Sequence, residues 1–287
     1  MANKHWWFRV GLFACLAGMV ISLPMDALSQ YWGRRGRSRD PREQPTYFWG
    51  EFGNECFTFC RVEYQSGGRG FGRGGGRWQT DYPESDQNFS QRLSELTNIN
   101  VNRDENGLVK HAIVKLTDEE LFHYPFVYMI EVGDLYFSQE EAMRLREYLL
   151  KGGFLMVDDF WGSRDWENFA FEFNKVFPED EYPIIDIPLE HEIFHIVFEI
   201  DKIHQIPGIG HWANSGGDTS ERGADSAEAH IRGVFDQAGR LMAVFCHNTD
   251  LGDGWEEEAV NPQYFAEFSK TKAYPLGINI VVYALTH

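Results

Sequence analysis

The stretch that decides the fold is residues 124–162, YPFVYMIEVGDLYFSQEEAMRLREYLLKGGFLMVDDFWG. Residues 126–132 form an apolar run, which is typical of a strand buried on both faces of a parallel sheet. Residues 154–157 form a second such run and are followed directly by Asp158 and Asp159. Two buried strands on either side of a helical segment predict a parallel strand–helix–strand unit.

The helix between these strands has its own start and stop signals. Ser138, with Glu141 three residues later, has the spacing of a capping box and predicts a helix that continues through Leu150. Gly152 and Gly153 are expected to end it, because glycine readily adopts the left-handed conformation that follows a helix. Met143, Leu145, Tyr148 and Leu149 are expected on or near its apolar side.

The flanking sequence repeats this alternation of strands and helices. Further strands are predicted at residues 56–64, 109–115, 184–187, 231–236 and 241–246. Further helices are predicted at residues 84–97, 166–177 and 274–285. A second capping-box pattern at residues 117–120 predicts the start of a short helix. The order predicts an α/β fold with a mainly parallel sheet and helices on both faces.

Composition excludes several classes of protein. The chain has 287 residues, 43% of them hydrophobic, which is enough apolar material for a large core and excludes wholesale disorder. Its net charge of −18 argues against a nucleic-acid partner, whose binding would require positive charge. The charge is uneven, since residues 80–287 hold 15 basic and 38 acidic residues.

The N-terminal part differs from the rest. Residues 1–29 have the positive, apolar and small-residue segments of a signal peptide, with cleavage expected before Gln30. Residues 30–51 read as a flexible basic linker and residues 52–287 as one α/β domain. The sequence therefore predicts an exported protein, periplasmic or extracellular, with no membrane span after cleavage. A retained N-terminal anchor is the alternative.

Four cysteines are too few for a disulfide scaffold, and Cys15 would leave with the signal peptide. Cys56 and Cys60 are four strand residues apart, about 13 Å, which is too far for a mutual disulfide. Either could pair with Cys246, or all three could be free thiols.

Several segments resemble a known family. The run at 124–162, WQTDYPESDQNF from Trp78, HEIF from His191, DLGDGWE from Asp250 and GINIVVYALTH at the C-terminus resemble the bacterial family called domain of unknown function 4159, over about residues 52–287. That resemblance implies a class I glutamine amidotransferase-like fold, which is a flavodoxin-like, doubly wound sheet. Longer members of the family carry membrane segments and partner-binding domains.

The same resemblance argues against glutaminase activity. Amidotransferases of this fold place a nucleophilic cysteine on the tight turn after the strand that corresponds to residues 154–157. Asp158 stands near that position, and a carboxylate cannot replace the thiolate. We therefore expect no glutamine hydrolysis.

The candidate ligand-binding residues are those that the fold would bring to the carboxyl ends of the strands, where open α/β sheets bind ligands. Asp158 and Asp159 follow one strand directly, although one of them could simply cap the next segment. Trp255 is expected to stack on the ligand, with a place in the core as the alternative, which is the commoner position of a large aromatic side chain. The full set is Asp81, Asp158, Asp159, His191, Asp250 and Trp255.

Three short motifs resemble known metal-binding or nucleotide-binding patterns but lack the neighbouring structure or residue order that those patterns require. His191 to His195 reads HEIFH, the zinc-protease spacing, but it lies in an Ile- and Phe-rich run after Pro188. Gly70, Gly72 and Gly75 have dinucleotide-fingerprint spacing, but no helix pattern follows them. Residues 247–255, HNTDLGDGW, are rich in oxygen ligands but lack the EF-hand order, so a turn is the simpler interpretation.

The sequence thus predicts no resident metal and no cofactor, and it assigns no catalytic residue. The expected partner is a small polar ligand or a cell-envelope protein. A metal-assisted hydrolase that uses the same Asp and His residues is the alternative.

Overall fold

The computed structural model describes residues 56–66, 77–256 and 258–287. The predicted signal peptide, the linker and the glycine fingerprint at 70–75 lie outside these ranges. Within them, no helix combines the length and the apolar character needed to cross a bilayer.

A seven-stranded sheet organises the domain, with a separate two-stranded pair beside it. The strands are β1 Phe59–Glu63, β2 Gln65–Ser66, β3 His111–Lys115, β4 Phe126–Ile130, β5 Leu135–Tyr136, β6 Phe154–Phe160, β7 Ile185–Asp186, β8 His230–Phe235 and β9 Leu241–His247. The main sheet has the order β3-β1-β4-β6-β9-β8-β7, and β2 pairs with β5. The five strands β3, β1, β4, β6 and β9 are mutually parallel, whereas β8 pairs antiparallel with β9, and β7 pairs antiparallel with β8 at the edge of the sheet. The predicted mainly parallel α/β sheet is confirmed.

The helices fall between and after these strands. They are α1 Glu84–Leu96, α2 Gln139–Leu150, α3 Gly162–Phe173, α4 Ile209–Ser215, α5 Leu251–Glu256 and α6 Pro262–Tyr264, and α6 continues through a π-helical segment Phe265–Ala273 into α7 Tyr274–Thr286. Short 3₁₀ turns include Arg77–Gln79, Glu119–His123 and Glu192–Phe194.

Local sequence signals account for most of these bounds. Ser138 and Glu141 form the predicted capping box at the start of α2. The second predicted box does not form, because the Asp118 side chain accepts a hydrogen bond from the Lys115 amide and a 3₁₀ turn follows. The expectation for Met143 was wrong, since its side chain is 62% exposed.

Two boundary predictions were also wrong. Strand β6 extends to Phe160 and includes Asp158 and Asp159, because it pairs with β9 on both sides of an irregularity between Val157 and Phe160. Helix α3 begins at Gly162 and ends at Phe173, four residues earlier at each end than the predicted 166–177.

The core lies on both faces of the sheet. Along β4, Val127 and Met129 pack on one face, and Phe126, Tyr128 and Ile130 on the other. This alternation is the period-two pattern of a strand that is buried on both sides. Cys60 and Cys246 are buried and Cys56 is exposed, and all three are free thiols.

A buried ion pair fixes the segment between β1 and α1. Arg61 on β1 and Asp86 on α1 are fully buried and hydrogen bonded to each other. Arg61 also donates to the carbonyl oxygens of Trp78 and Thr80. This ion pair holds the chain that leads to Asp81 against the sheet.

Candidate functional site

Six acidic residues converge at the carboxyl ends of the central strands. They are Asp81, Asp158, Asp159, Asp250, Asp253 and Glu256, called here the carboxylate cluster. Asp81 comes from the segment before α1, the next two from β6, and the others from the turn after β9 and from α5. Because parallel strands end at the same edge of a sheet, residues far apart in the chain meet here.

Asp158 is fully buried and serves as an anchor. Its Oδ2 accepts hydrogen bonds from the Tyr128 hydroxyl at 3.0 Å and from the amides of Leu251 and Gly252, each at 2.9 Å. It therefore ties the start of α5 to β6. Its other oxygen, Oδ1, is buried and is not hydrogen bonded to any residue in the described ranges.

Asp159 marks the irregularity in β6. Its φ is 52°, a left-handed conformation that is uncommon outside glycine and concentrates at functional sites. Its Oδ1 accepts a hydrogen bond from the Trp161 indole at 2.7 Å. The turn thus carries both Asp158 and Asp159 at the same edge of the sheet, although adjacent strand residues ordinarily point to opposite faces.

Three acidic residues of the cluster belong to the short helix α5 and its start. Asp250 Oδ1 accepts a hydrogen bond from the Asp253 amide at 2.8 Å. Asp253 and Glu256 are three residues apart in the helix and therefore share a face. The Asn88 side chain of α1 donates to the carbonyl oxygens of Trp255 and Glu256, which fixes the end of α5.

Asp81 completes the cluster from outside the sheet. It is 5% exposed, its φ is 61°, and its Oδ2 makes no hydrogen bond. A methyl group built on Gly252 would lie 2.5 Å from that oxygen. Only glycine at position 252 therefore leaves room for the Asp81 carboxylate.

The surroundings of the cluster disfavour the ionised form of its carboxyl groups. Burial, followed by the neighbouring carboxylates, raises the pKa of Asp81, Asp159 and Asp250 well above the ordinary value. Burial raises the pKa of Asp158 to about 7, although hydrogen bonds to its carboxylate, first that from the Leu251 amide, oppose that change. The cluster therefore favours any species that neutralises or donates to its oxygens.

Further acidic residues border the cluster. Glu131 directly follows β4, has φ 56° and forms an ion pair with Arg77. The Glu221 carboxylate accepts a hydrogen bond from the Gly208 amide, beside Asp253, which accepts one from Ile209. Asn248, which follows β9, is the fourth non-glycine residue with positive φ within the described ranges, so all four lie near this edge of the sheet.

Two of the predicted ligand-binding residues do not join the cluster. Trp255 is fully buried among Phe59, Phe89 and Tyr128, so the expected stacking on a ligand is not supported by its position and it belongs to the core. His191 packs between Phe235 and Tyr283. The Tyr283 hydroxyl accepts from the amide of Leu241, which begins β9. His191 therefore lies near the opposite end of a seven-residue strand from the cluster, about 20 Å away along it.

The HEIFH match does not have metalloprotease geometry. Residues Glu192–Phe194 form one 3₁₀ turn instead of the helix that would place both histidines on one face. His195 instead bonds Glu199 and the Leu189 carbonyl oxygen. Glu192 Oε1 lies 3.1 Å from the His287 Nε2 atom.

Sequence reasoning did not single out Asp253 and Glu256. The signal was present in DLGDGWE, where Asp250, Asp253 and Glu256 recur every third residue. That spacing puts side chains on one helical face, but residues 247–255 were interpreted as a turn whose Asp residues bond their own backbone, because they lack the EF-hand order.

The profile of the family described as domain of unknown function (DUF4159) matches residues 58–285. The chain belongs to this family. No match to the chain was found among curated proteins. Every residue of the carboxylate cluster lies within the matched part of this DUF4159 domain, as does Arg61, which holds the segment before Asp81.

Proposed function

We propose that this DUF4159 domain is a binding module whose carboxylate cluster receives a small polar ligand that carries positive charge or hydrogen-bond donors. The observation that carries the proposal is the pair of buried oxygens without a hydrogen bond, Asp81 Oδ2 and Asp158 Oδ1. An ionised carboxylate is an acceptor only, so each oxygen needs a donor or a cation. Leaving such atoms unpaired in a buried site is costly.

The position of the cluster in the fold supports the same proposal. Counted along the chain, the five parallel strands lie in the order 2-1-3-4-5. We propose on this basis a flavodoxin-like sheet of the amidotransferase type, because that order is characteristic of flavodoxin-like sheets. In such sheets ligands bind beyond the carboxyl ends of the strands where the strand order reverses. Here the order reverses between β1 and β4, and Glu131 lies at the end of β4.

Backbone conformation adds independent support. Asp81, Glu131 and Asp159 are non-glycine residues held at positive φ beside one another in the site. Each such conformation costs roughly 1–3 kcal/mol and is usually retained where the side chain must be aimed. A purely structural cluster would not need three of them.

Glutamine hydrolysis is not part of the proposal. The strained residue on β6 is Asp159, and its neighbour is Asp158, so both positions near the expected nucleophile carry carboxylates. Burial raises the pKa of the Cys60 and Cys246 thiols well above the ordinary value, which disfavours thiolate chemistry. We expect no ammonia release from glutamine.

Export of the domain remains part of the proposal. It is supported by residues 1–29, whose charged, apolar and small-residue segments follow the signal-peptide pattern. The ligand would then be a molecule of the periplasm or the exterior.

The proposal is tested by thermal unfolding and calorimetry of the full chain with a defined set of probes in EDTA. The set contains cationic probes (putrescine, spermidine and arginine), hydroxyl-rich probes (glucose and glycerol) and anionic probes (citrate and phosphate). At least one cationic or hydroxyl-rich probe should raise the melting temperature. Asp158→Asn should remove that response, because it removes the negative charge and replaces one buried carboxylate oxygen by an NH₂ group while the side chain keeps its shape.

The matched control is Asp180→Asn, which makes the same substitution at an exposed residue outside the cluster. It should bind the probes like the wild type. Binding of the anionic probes alone, or a response that Asp158→Asn leaves intact, would contradict the proposed function.

A further inference from the structure

Three members of the carboxylate cluster have the geometry of a cation site. One carboxylate oxygen from each of Asp81, Asp253 and Glu256 lies within 4.8 Å of the other two. Two of the three residues lie on one face of α5, and the third reaches them from the segment before α1. The three oxygens therefore surround a common point from two separate elements.

An unpaired buried atom distinguishes this group from an ordinary acidic surface. Asp81 is 5% exposed and its Oδ2 makes no hydrogen bond. Its backbone is held at φ 61°, and Gly252 leaves the space that the carboxylate occupies. The chain thus fixes an acceptor beside two other carboxylates, and none of the described residues donates a hydrogen bond to it.

The positive charge of Arg61 acts on Asp81, but Arg61 does not donate a hydrogen bond to Asp81 Oδ2. Arg61 partly offsets the charge of Asp81. Its donors, however, are used by Asp86, Ser85 and the carbonyl oxygens of Trp78 and Thr80. Its positive charge is therefore already paired with Asp86.

The donor set indicates the class of cation. All three groups are carboxylates, which are hard oxygen ligands preferred by Ca²⁺ and Mg²⁺ over softer metals. Two oxygens that bind one Ca²⁺ from opposite sides are about 4.6–5.2 Å apart, and about 4.0–4.2 Å apart for Mg²⁺. Separations of no more than 4.8 Å are within the span that the oxygen ligands of one Ca²⁺ can have, and Mg²⁺ would need the three oxygens to lie closer together.

We propose that Asp81, Asp253 and Glu256 bind a hard divalent cation, Ca²⁺ or Mg²⁺, and that this cation is the positively charged component recognised by the carboxylate cluster. The inference rests on the proposed function, because it uses the same cluster as the ligand site. With only three protein oxygens, the cation would keep coordination positions for water or for oxygens of the polar ligand. With the cation bound, ligand oxygens would contact the metal, and in EDTA a cationic or hydroxyl-rich ligand would contact the carboxylates themselves.

The test is calorimetric titration of the EDTA-treated full chain with CaCl₂, MgCl₂ and ZnCl₂, with thermal unfolding measured in parallel. Ca²⁺ or Mg²⁺ should bind and raise the melting temperature by about 5 °C at saturating concentration. Asp81→Asn and Asp253→Asn should each weaken binding at least about tenfold. The exposed control Asp180→Asn should bind the cation as the wild type does.

The variants are expected to remain folded, since each removes charge without changing shape, and far-ultraviolet circular dichroism checks this. Absence of any Ca²⁺ or Mg²⁺ response, a response to Zn²⁺ alone, or a response unchanged in both variants overturns the proposal. If an amine or a sugar binds in EDTA through Asp158 while neither hard cation binds, only the cation proposal fails. If neither class binds, both proposals fail.

Discussion

Replacing Asp81 by Asn should stabilise the protein in the absence of metal. The substitution is nearly isosteric, so it fits the space beside Gly252. Asn is also among the residues that best tolerate the positive φ observed at this position. The perturbation therefore isolates one negative charge within the carboxylate cluster.

The magnitude follows from the spacing of the three carboxylates. Two unit charges 4.8 Å apart repel by about 3 kcal/mol at an effective dielectric constant of about 20. Asp253 and Glu256 are half-buried, so solvent screens part of this repulsion. We expect the free energy of unfolding to rise by about 2 kcal/mol at pH 8, which corresponds to about 4–8 °C for a domain of this size.

The gain should depend on pH with a defined sign. The pKa of Asp81 is raised in the folded protein by burial and then by Asp253, Glu256 and Asp158, while Arg61 lowers it. A raised pKa means that the stability contributed by the protonated carboxyl is complete below the unfolded-state pKa and is lost as pH rises through the folded-state pKa. Asn does not titrate, so the difference between variant and wild type should grow with pH.

Urea unfolding in EDTA at about pH 4.5 and at pH 8 measures both effects. The gain should be smaller at the lower pH and larger at the higher one. Asp180→Asn should change the unfolding free energy by less than about 0.5 kcal/mol at either pH. Destabilisation by Asp81→Asn at pH 8, or a gain equal at both values, would refute the account of the cluster as a site of charge repulsion.

Four other predictions concern the rest of the molecule. Burial lowers the pKa of His247 from 6.5 to about 4, so the unfolded state takes up a proton first as the pH falls. The free energy of unfolding should therefore decrease by about 3 kcal/mol between pH 6.5 and pH 4. His247→Gln should remove this pH dependence in urea unfolding. Asp86→Asn should cost about 3–5 kcal/mol in the same assay, because it leaves the buried Arg61 charge unpaired, and a loss below 1 kcal/mol would contradict that pairing. Trp255→Ala should lower the unfolding free energy by about 3–5 kcal/mol because the indole fills the core; a change in ligand affinity at unaltered stability would instead restore a stacking role. Mass spectrometry of the exported protein should find Gln30 at its N-terminus, whereas an intact Met1 would favour the retained anchor.

Most of the fold could be predicted from the sequence, because the signals for its helices and strands lie within short stretches of the chain. Ser138 and Glu141 define the start of α2, and the apolar runs around Tyr128 and Met156 identify strands buried on both faces. The antiparallel β8 and β7 additions could not be read in this way. Strand direction depends on which edges meet after the chain has folded, and residue alternation is the same for both directions.

The candidate site was only partly accessible to the same reasoning. The rule that ligands bind at strand ends identified Asp81, Asp158, Asp159 and Asp250, which the structure brings together. It also included Trp255, because a large aromatic side chain has the same composition signal in a core as in a binding wall. The prediction also included His191, because a short sequence motif such as HEIFH does not indicate at which end of the sheet it will lie.

The sequence by itself determined the α/β class, the family, the net charge and the presence of carboxylates near the strand ends. Each of these depends on neighbouring residues or on a pattern along the chain. Tertiary structure alone decided that Asp81 lies against Gly252, 171 residues away, and that its oxygen stays unpaired beside Asp253 and Glu256. The physical reason is that repulsion between carboxylates depends on their separation in space and on burial, and both are set only when β6, α5 and the segment before α1 pack together.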